Sequence, residues 1–438
     1  MSQSQALQRK ARKIIPGVAQ LLSKRPDRFS SGVWPGYYSK AKGATVWDLD
    51  GNAFLDMSIG GIGACVLGYA DNEVDEAVIE AVRGGVASSL NCPEDVALAE
   101  TLCTLHPWAD MARFSRGGAE AMTIAVRLAR AATKRDVVAF CGYHGWSDWY
   151  LAANLGDTEA LDGHLIRGLE PAGVPRSLQG TALPFRYNNL DELAEIVRTQ
   201  GLHLAAIVME AVRSEPPAPG FIEGVRGLAD ESGAILIVDE ISAAFRMNTG
   251  GAHLAVWNGI EPDMAVFSKA LGNGYAISAV IGRASVMEAA HHTFISSTNW
   301  TERVGPTAAL ATIAKYARIK PYEQFARQGR RIKEHWSALG GRYGFDVHAE
   351  GMDAMSHFSI NDPAFLSYKA YYVQLMLEQG ILASNLCYLM AAHTDADIDR
   401  YIEASSCAFA AMAEARDAGD LEKRLKGSPA TSGFARLA

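Results

Sequence analysis

Ala234-Ile-Leu-Ile-Val-Asp239 and Asp263-Met-Ala-Val-Phe-Ser-Lys-Ala-Leu-Gly272 decide the fold. Each contains a short run of β-branched and aliphatic residues closed by polar residues or glycine, which is how a strand buried on both faces of a parallel sheet reads. Asp239 closes the first run, and Lys269 follows the second, thirty positions further on. Open α/β sheets bind ligands at the carboxyl ends of their strands, so both residues fall where a ligand would sit. A lysine delivered there is partly desolvated, which lowers its pKa and frees the amine to attack a carbonyl carbon as a Schiff-base nucleophile. An acid beside it can keep a ring nitrogen protonated. On these two residues alone, an exposed lysine and a strand-end aspartate in some other α/β enzyme is an equally open reading.

Three further stretches bear on the choice. Phe114-Ser-Arg-Gly-Gly-Ala-Glu-Ala-Met-Thr-Ile-Ala-Val-Arg-Leu-Ala-Arg130 passes from two glycines into a helical pattern, with Met122, Ala125, Val126 and Ala129 on one face. Amides exposed at such a helix start suit a phosphate. Val137-Val-Ala-Phe-Cys-Gly-Tyr-His-Gly145 is a strand running into a loop that presents Tyr143 and His144, and an aromatic face there can stack on a pyridine ring. Ala206-Ile-Val-Met-Glu210 is another strand ending in an acid. A lysine for a carbonyl and an aspartate for a pyridinium is the division of labour of a pyridoxal phosphate (PLP) site. Taken singly, each stretch also reads as ordinary structure: a plain turn, a core tyrosine, a strand end.

In this order the stretches resemble the class III, ornithine-type, PLP-dependent aminotransferases, and within that class the glutamate-1-semialdehyde aminomutase group. The resemblance runs from about Val33 to about Ala410. It is carried by Val46-Trp-Asp-Leu-Asp-Gly51 with Phe54-Leu-Asp56, by Val66-Leu-Gly-Tyr-Ala70, Arg116-Gly-Gly-Ala-Glu-Ala121 and Gly142-Tyr-His-Gly145, and by Ala206–Glu210. Asp239-Glu-Ile-Ser-Ala-Ala-Phe-Arg246, Gly259-Ile-Glu-Pro-Asp263, Ser268-Lys-Ala-Leu-Gly-Asn-Gly274 and Ala391-Ala-His-Thr394 complete it. It implies an α/β fold of the type I PLP-dependent transferases, with a mostly parallel central sheet covered by helices on both faces and a small α+β domain. Lys269 would form the Schiff base and carry the proton at the substrate's amino carbon; Asp239 would hold the ring nitrogen. Tyr143 would lie over one face of the ring and Ile241 under the other, with Glu210 near the phenolic oxygen and His144 beside the cofactor. Gly117, Gly118 and Ala119 would cup the phosphate, and Thr301 would reach the phosphate of a partner subunit, implying a homodimer with active sites at the subunit interface.

The chain departs from the pattern in places that bear on chemistry. Gly117-Gly118-Ala119 stands where the family usually writes Ser-Gly-Thr or Ser-Gly-Ser, so the phosphate would depend on backbone amides, the helix dipole and Thr301. The aminomutases place a carboxylate-binding arginine two residues after a proline in the N-terminal segment. Here Gly32-Val-Trp-Pro-Gly-Tyr-Tyr38 puts Tyr37 at that position. Their Ser-Trp-Gly segment becomes Gly61-Ile-Gly63, and Ala383-Ser-Asn-Leu-Cys-Tyr-Leu-Met390 lacks their acidic loop residue. What remains is aromatic and amide-bearing: Trp34, Tyr37, Tyr38, Trp146, Trp149, Asn385 and Tyr388, with Asp148. Such a set suits a hydroxylated, sugar-like aldehyde or ketone, or an amine without a carboxylate at the reacting carbon. The activity implied is transfer of an amino group from a glutamate- or alanine-type donor to such a carbonyl acceptor. Glutamate-1-semialdehyde 2,1-aminomutase is the alternative, and a non-catalytic PLP-fold regulator the alternative from another class. A nucleotide-binding α/β protein is disfavoured, since neither a G-x-G-x-x-G after a first strand nor a G-x-x-x-x-G-K-[ST] occurs.

Composition sets the remaining bounds. The 438 residues suffice for a large core and more than one domain. A net charge of −8 argues against a nucleic-acid surface. Six cysteines without a C-x-x-C pair read as reduced thiols in a cytoplasmic protein, with no metal site expected. No apolar run reaches the roughly 20 residues that span a bilayer, and Pro16 interrupts the stretch Ile14 to Leu22, which follows Lys10-Ala-Arg-Lys13 and reads as a dimer-wrapping arm rather than a targeting peptide. The expected organisation is an N-terminal arm with small-domain strands over 1–60, a large PLP-binding domain over 61–310, and a C-terminal small domain and tail over 311–438. In the first, Asp50-Gly51 turns a hairpin within Ala44–Met57; in the last, the chain after Gly419 reads as loosely ordered.

Overall fold

The computed structural model describes residues 2–212 and 214–434. The chain forms two compact units, residues 1–71 with 323–438, and residues 72–322. These limits differ from the 60 and 310 drawn from sequence. The helix Val304–Ile319 packs on the helices Asn72–Arg83 and Pro93–Leu105, so it belongs with the larger unit. At the other limit, Tyr69 pairs with Gly43 and its hydroxyl donates to Asp56 Oδ2 at 2.5 Å, tying residues 61–71 to the strands before them.

In the first unit, β1 (Tyr38–Lys42), β2 (Thr45–Asp48) and β3 (Ala53–Met57) run antiparallel. The expected hairpin turn is made by Asp48, whose Oδ1 accepts from the amides of Asp50 and Asn52, both at 2.9 Å. Gly51 supplies the positive φ, +86°, that this turn requires.

The second unit is built on a sheet of β4 (Met111–Ser115), β5 (Val137–Cys141), β6 (Ala182–Pro184), β7 (Leu204–Glu210), β8 (Ile235–Asp239), β9 (Met264–Phe267) and β10 (Ser278–Gly282). Among the described residues its order is β4-β10-β9-β8-β7-β5-β6. Strands β6, β5, β7, β8 and β9 are parallel neighbours, and β10 runs antiparallel to β9 and β4. This is the mostly parallel α/β sheet expected. Val138, Phe140, Ala206, Val208, Ile237, Met264 and Val266 pack against Met122, Ala125, Val126 and Ala129 of the helix Gly118–Thr133, the face predicted from its periodicity. Trp149, grouped by sequence with the substrate-facing aromatics, is instead 4 % exposed in this core, its ring 6.1 Å from that of His144.

Residues 323–434 return to the first unit. Here β11 (Val347–Glu350), β12 (Met355–Ile360) and β14 (Leu386–Tyr388) form a second antiparallel sheet, and β13 (Ile381–Ala383) adds to β3 in parallel. The Ala391–Thr394 motif is a junction. His393 lies 2.8 Å from the Asp56 carbonyl through Nε2 and accepts from Met390 N through Nδ1, while Thr394 caps the helix Asp395–Asp417. The tail read as loosely ordered is docked as far as it is described. Ala430 N donates to Leu366 O and Thr431 N to Asp27 O, and Arg28 holds Gly433 O at 2.8 Å. Short polar segments give no periodic signal, so backbone pairing of this kind is not visible in sequence. Among the described residues no helix is long and apolar enough to cross a membrane.

Glu240, buried beside Asp239, accepts from Ala252 N at 2.9 Å, His253 N at 2.8 Å and His253 Nδ1 at 2.7 Å. His253 Nε2 in turn accepts from Trp108 Nε1 at 3.1 Å. Glu240→Ala strands three buried donors and should cost about 3 kcal/mol or more. Urea denaturation measures this; a loss below about 1 kcal/mol would show that the network is dispensable.

Candidate active site

The parallel register brings the acids together. Glu210, the last residue of β7, is the register partner of Asp239, the last residue of β8, and Asp239 is in turn paired with Val266 of β9. Three residues after Val266 comes Lys269, in a left-handed conformation at φ +46° that a side-chain-bearing residue adopts only under constraint. The constraint is local. Ser278 Oγ donates to Ser268 Oγ at 2.8 Å, Ser268 Oγ donates to Ile277 O at 3.3 Å, and the turn Lys269–Gly272 closes beneath them.

Lys269 is half-buried, and its Nζ donates to Ser242 Oγ at 2.6 Å. Burial pushes its amine below the ordinary lysine range, Arg246 adds to that depression, and the charges of Asp239 and Glu210 oppose it. The amine is thus made less costly to deprotonate while two carboxylates remain close enough to stabilise its charge. Asp239, 4 % exposed, is held through both oxygens: Oδ1 accepts from Ile241 N at 2.9 Å, and Oδ2 lies 2.7 Å from His144 Nδ1. His144 is turned inward and 1 % exposed, its Nε2 3.2 Å from the Cys141 carbonyl. It therefore bears on any ligand through Asp239. Tyr143 is half-buried, with Tyr150 edge-on to it at 5.9 Å; burial, and after it the charge of Asp239, raises its phenol.

The glycines explain how these segments meet. A Cβ on Gly118 would stand 3.0 Å from Ile241 Cδ1, one on Gly145 2.7 Å from Ala119 Cβ, and one on Gly142 2.7 Å from Glu210 Oε2. The first turn of the helix Gly118–Thr133 therefore abuts both Ile241 and the loop after β5. Glu120 Oε2 accepts the amides of Arg116 at 2.8 Å and Gly117 at 3.2 Å. The Gly118 and Ala119 amides follow in the first turn, where no carbonyl of the helix can accept them. An amine, a braced carboxylate, a half-buried phenol and first-turn amides suit, respectively, the aldehyde, ring nitrogen, ring face and phosphate of PLP, and the chain's own residues fit that group.

The remaining sequence candidates fall elsewhere. Thr301 is exposed, its hydroxyl donating to Thr298 O at 2.8 Å, and it lines a cavity of about 410 Å³ with Asp95, Arg113, Phe114 and Trp300. Trp146 is 73 % exposed. Trp34, Tyr37, Asn385 and Tyr388 belong to the first unit. Trp34 stacks on Phe29 at 4.0 Å, and both it and Tyr388 pack on Phe29, Ile59 and Val373. Asn385 Nδ2 donates to Phe358 O at 3.0 Å, while its Oδ1 is buried without a partner among the described residues. Sequence reasoning missed Ser242 and the inward role of His144. Both lie inside quoted motifs, but a contact between residues 27 or 95 positions apart leaves no periodic trace.

Residues 30–408 match the model of the aminotransferase class-III family. The chain is 31 % identical over 418 residues to a 3-aminobutyryl-CoA aminotransferase of Cloacimonas acidaminovorans, covering 92 % of this chain and 96 % of that one. It is 31 % identical over 443 residues to a glutamate-1-semialdehyde 2,1-aminomutase of Chloroflexus aurantiacus, covering 94 % and 97 %. It is also 31 % identical over 388 residues to a 2'-deamino-2'-hydroxyneamine transaminase of Streptomyces kanamyceticus, covering 87 % and 92 %. Among solved structures, the PLP internal aldimine form of the FumI protein of Sphingopyxis sp. MTA144 superposes with a TM-score of 0.84 at 25 % identity, over 98 % of each chain. With the acid-lined strand ends and the glycine-backed helix start in place, the chain belongs to the class III aminotransferases and is a PLP-dependent transaminase.

Proposed function

We propose that Lys269 carries the cofactor and that the acceptor is an aldehyde or ketone without a carboxylate at the reacting carbon, aminated from a glutamate- or alanine-type donor. The observation that carries the first part is the placement of Lys269 three residues past Val266, the register partner of Asp239, with Glu210 beside Asp239 at the end of the next strand. PLP, when bound, supplies the electron sink that makes a carbanion at the substrate's amino carbon tolerable. Lys269 holds and returns the proton at that carbon, and burial, which lowers its amine below the ordinary lysine range, makes the neutral form that accepts the proton less costly. Asp239, fixed by His144 and Ile241 N, keeps the ring nitrogen protonated. Tyr143 and Ile241 would line the ring's two faces, and Glu210 would serve its phenolic oxygen. Gly118 and Ala119 would receive the phosphate through their amides and the helix dipole, with Gly117, whose amide is held by Glu120, opening the turn.

The acceptor class rests on what the chain lacks and offers. Tyr37 occupies the position of the aminomutase arginine, so a carboxylate there would lose bidentate, charge-assisted bonds. Asn385 offers a buried acceptor without a partner among the described residues, suited to a substrate hydroxyl or amine. Trp34 and Tyr388 pack on one apolar cluster in that same unit. Equal identity to a thioester transaminase, an aminomutase and an aminoglycoside transaminase leaves these residues to discriminate. We further propose a cytoplasmic homodimer in which Thr301 reaches the partner's phosphate. Its exposed hydroxyl, the apolar wall of Phe114, Val96 and Trp300 beside it, and six free cysteines support that reading.

Four outcomes test the proposal. Lys269→Ala should abolish turnover, and Asp239→Asn should slow the donor half-reaction at least about a hundredfold, the equivalent of ~3 kcal/mol; an Asp239→Asn loss below about tenfold would mean that another group holds the nitrogen. In a comparison of kcat/KM, hydroxylated aldehydes such as oxidised aminosugars should exceed glutamate-1-semialdehyde by at least about tenfold. A clear preference for the semialdehyde identifies an aminomutase with an unfamiliar carboxylate site. Light scattering should give a dimer that PLP stabilises, and a monomer holding PLP at full occupancy excludes the shared site.

A further inference from the structure

Ser242 takes no part in the cofactor reading above, yet its hydroxyl is the hydrogen-bond partner of the Lys269 amine, 2.6 Å away. The other charged groups acting on that amine are Asp239 at the end of β8, Glu210 at the end of β7, and Arg246 four residues beyond Ser242. None can pair with both forms of it. A carboxylate only accepts and so serves the ammonium, whereas a guanidinium only donates; a hydroxyl does both. The Ser242 hydroxyl can take an N–H from the charged amine and give its own O–H to the lone pair of the neutral one. The serine is also braced, because Arg246 Nε donates to its carbonyl at 3.3 Å.

We infer that Ser242 is a positioning residue that anchors the free Lys269 amine in both protonation states, so that a proton can leave and return along one direction. The inference rests on the reading of Lys269 as the proton carrier. In the step concerned, the neutral amine takes a proton from the substrate's amino carbon, leaving the electron pair behind, and the ammonium's N–H turns to Ser242 Oγ. Return of the proton reverses both movements, with no net change in charge. A lysine stem has four carbons free to rotate, and without an anchor the released amine spreads over rotamers that cannot reach the carbon. The left-handed backbone at Lys269 fixes where the stem begins, and Ser242 fixes where it ends.

Ser242→Val and Ser242→Thr are near-isosteric and differ in one hydroxyl, which separates the bond from packing. Two readouts are taken. The first is kcat and KM of the holoenzyme half-reaction with L-glutamate or L-alanine, whichever the wild type turns over faster. The second is the pH dependence of acylation of Lys269 in cofactor-stripped protein, read by mass spectrometry on its peptide. Ser242→Val is expected to lower kcat about tenfold to a hundredfold with KM within about twofold, the rate equivalent of one lost bond to a charged group. Its acylation midpoint is expected to move to lower pH, because of the two bonds lost the one to the charged form is the stronger. Ser242→Thr is expected to match the wild type in both. The inference is overturned if the two variants agree in kcat within about twofold, or if their acylation midpoints coincide. Failure of the underlying lysine assignment would show separately, as turnover surviving in Lys269→Ala.

Discussion

Two consecutive buried carboxylates, Asp239 and Glu240, constrain everything around them. A desolvated carboxylate persists only when its oxygens are met by donors, and here each acid recruits a different part of the second unit. Asp239 is satisfied by Ile241 N and His144, which ties the end of β8 to the loop after β5. Glu240 is satisfied by the amides and ring of residues 252–253, which closes the loop that carries Ser242 and Arg246. One strand end thereby fixes both Asp239, the group proposed to face the ring nitrogen, and the segment that meets the lysine.

Lys269 is the counterpart of that constraint. A lysine at positive φ is a cost that ordinary loops avoid. The cost is borne here by a turn whose serines bond one another and whose Gly272 approaches Ile277 so closely that a Cβ would lie 2.7 Å from its Cγ2. Phosphate recognition follows the same economy of side chains. On the proposed reading the phosphate would be met by the geometry of a helix start rather than by hydroxyls, and Gly118 and Gly145 let that start lie against Ile241 and the Tyr143 loop.

The parts of the fold that were legible in the sequence are those governed by period and by strand ends. Val137–Cys141, Leu204–Glu210, Ile235–Asp239 and Met264–Phe267 read as buried strands because parallel strands with both faces covered are continuous apolar runs. The acids and the lysine were legible because they terminate such runs. The inward turn of His144, the Lys269–Ser242 bond and the burial of Trp149 depend on which strands become neighbours, and a local pattern does not encode that. Long-range pairing likewise hid the addition of β13 to β3 and the docking of Ala430 and Thr431, since three-residue strands and single backbone bonds carry no repeat.

The central claim is that the end of β9 delivers the lysine that holds the cofactor. Borohydride, which fixes PLP irreversibly to the lysine it is joined to, tests it most directly when followed by peptide mapping of the purified holoenzyme. The account predicts that the visible band is bleached and that the pyridoxyl group is found on the peptide containing Ser268-Lys-Ala-Leu-Gly272. A label on any other lysine, or a purified protein whose visible absorption borohydride leaves unchanged, would contradict it.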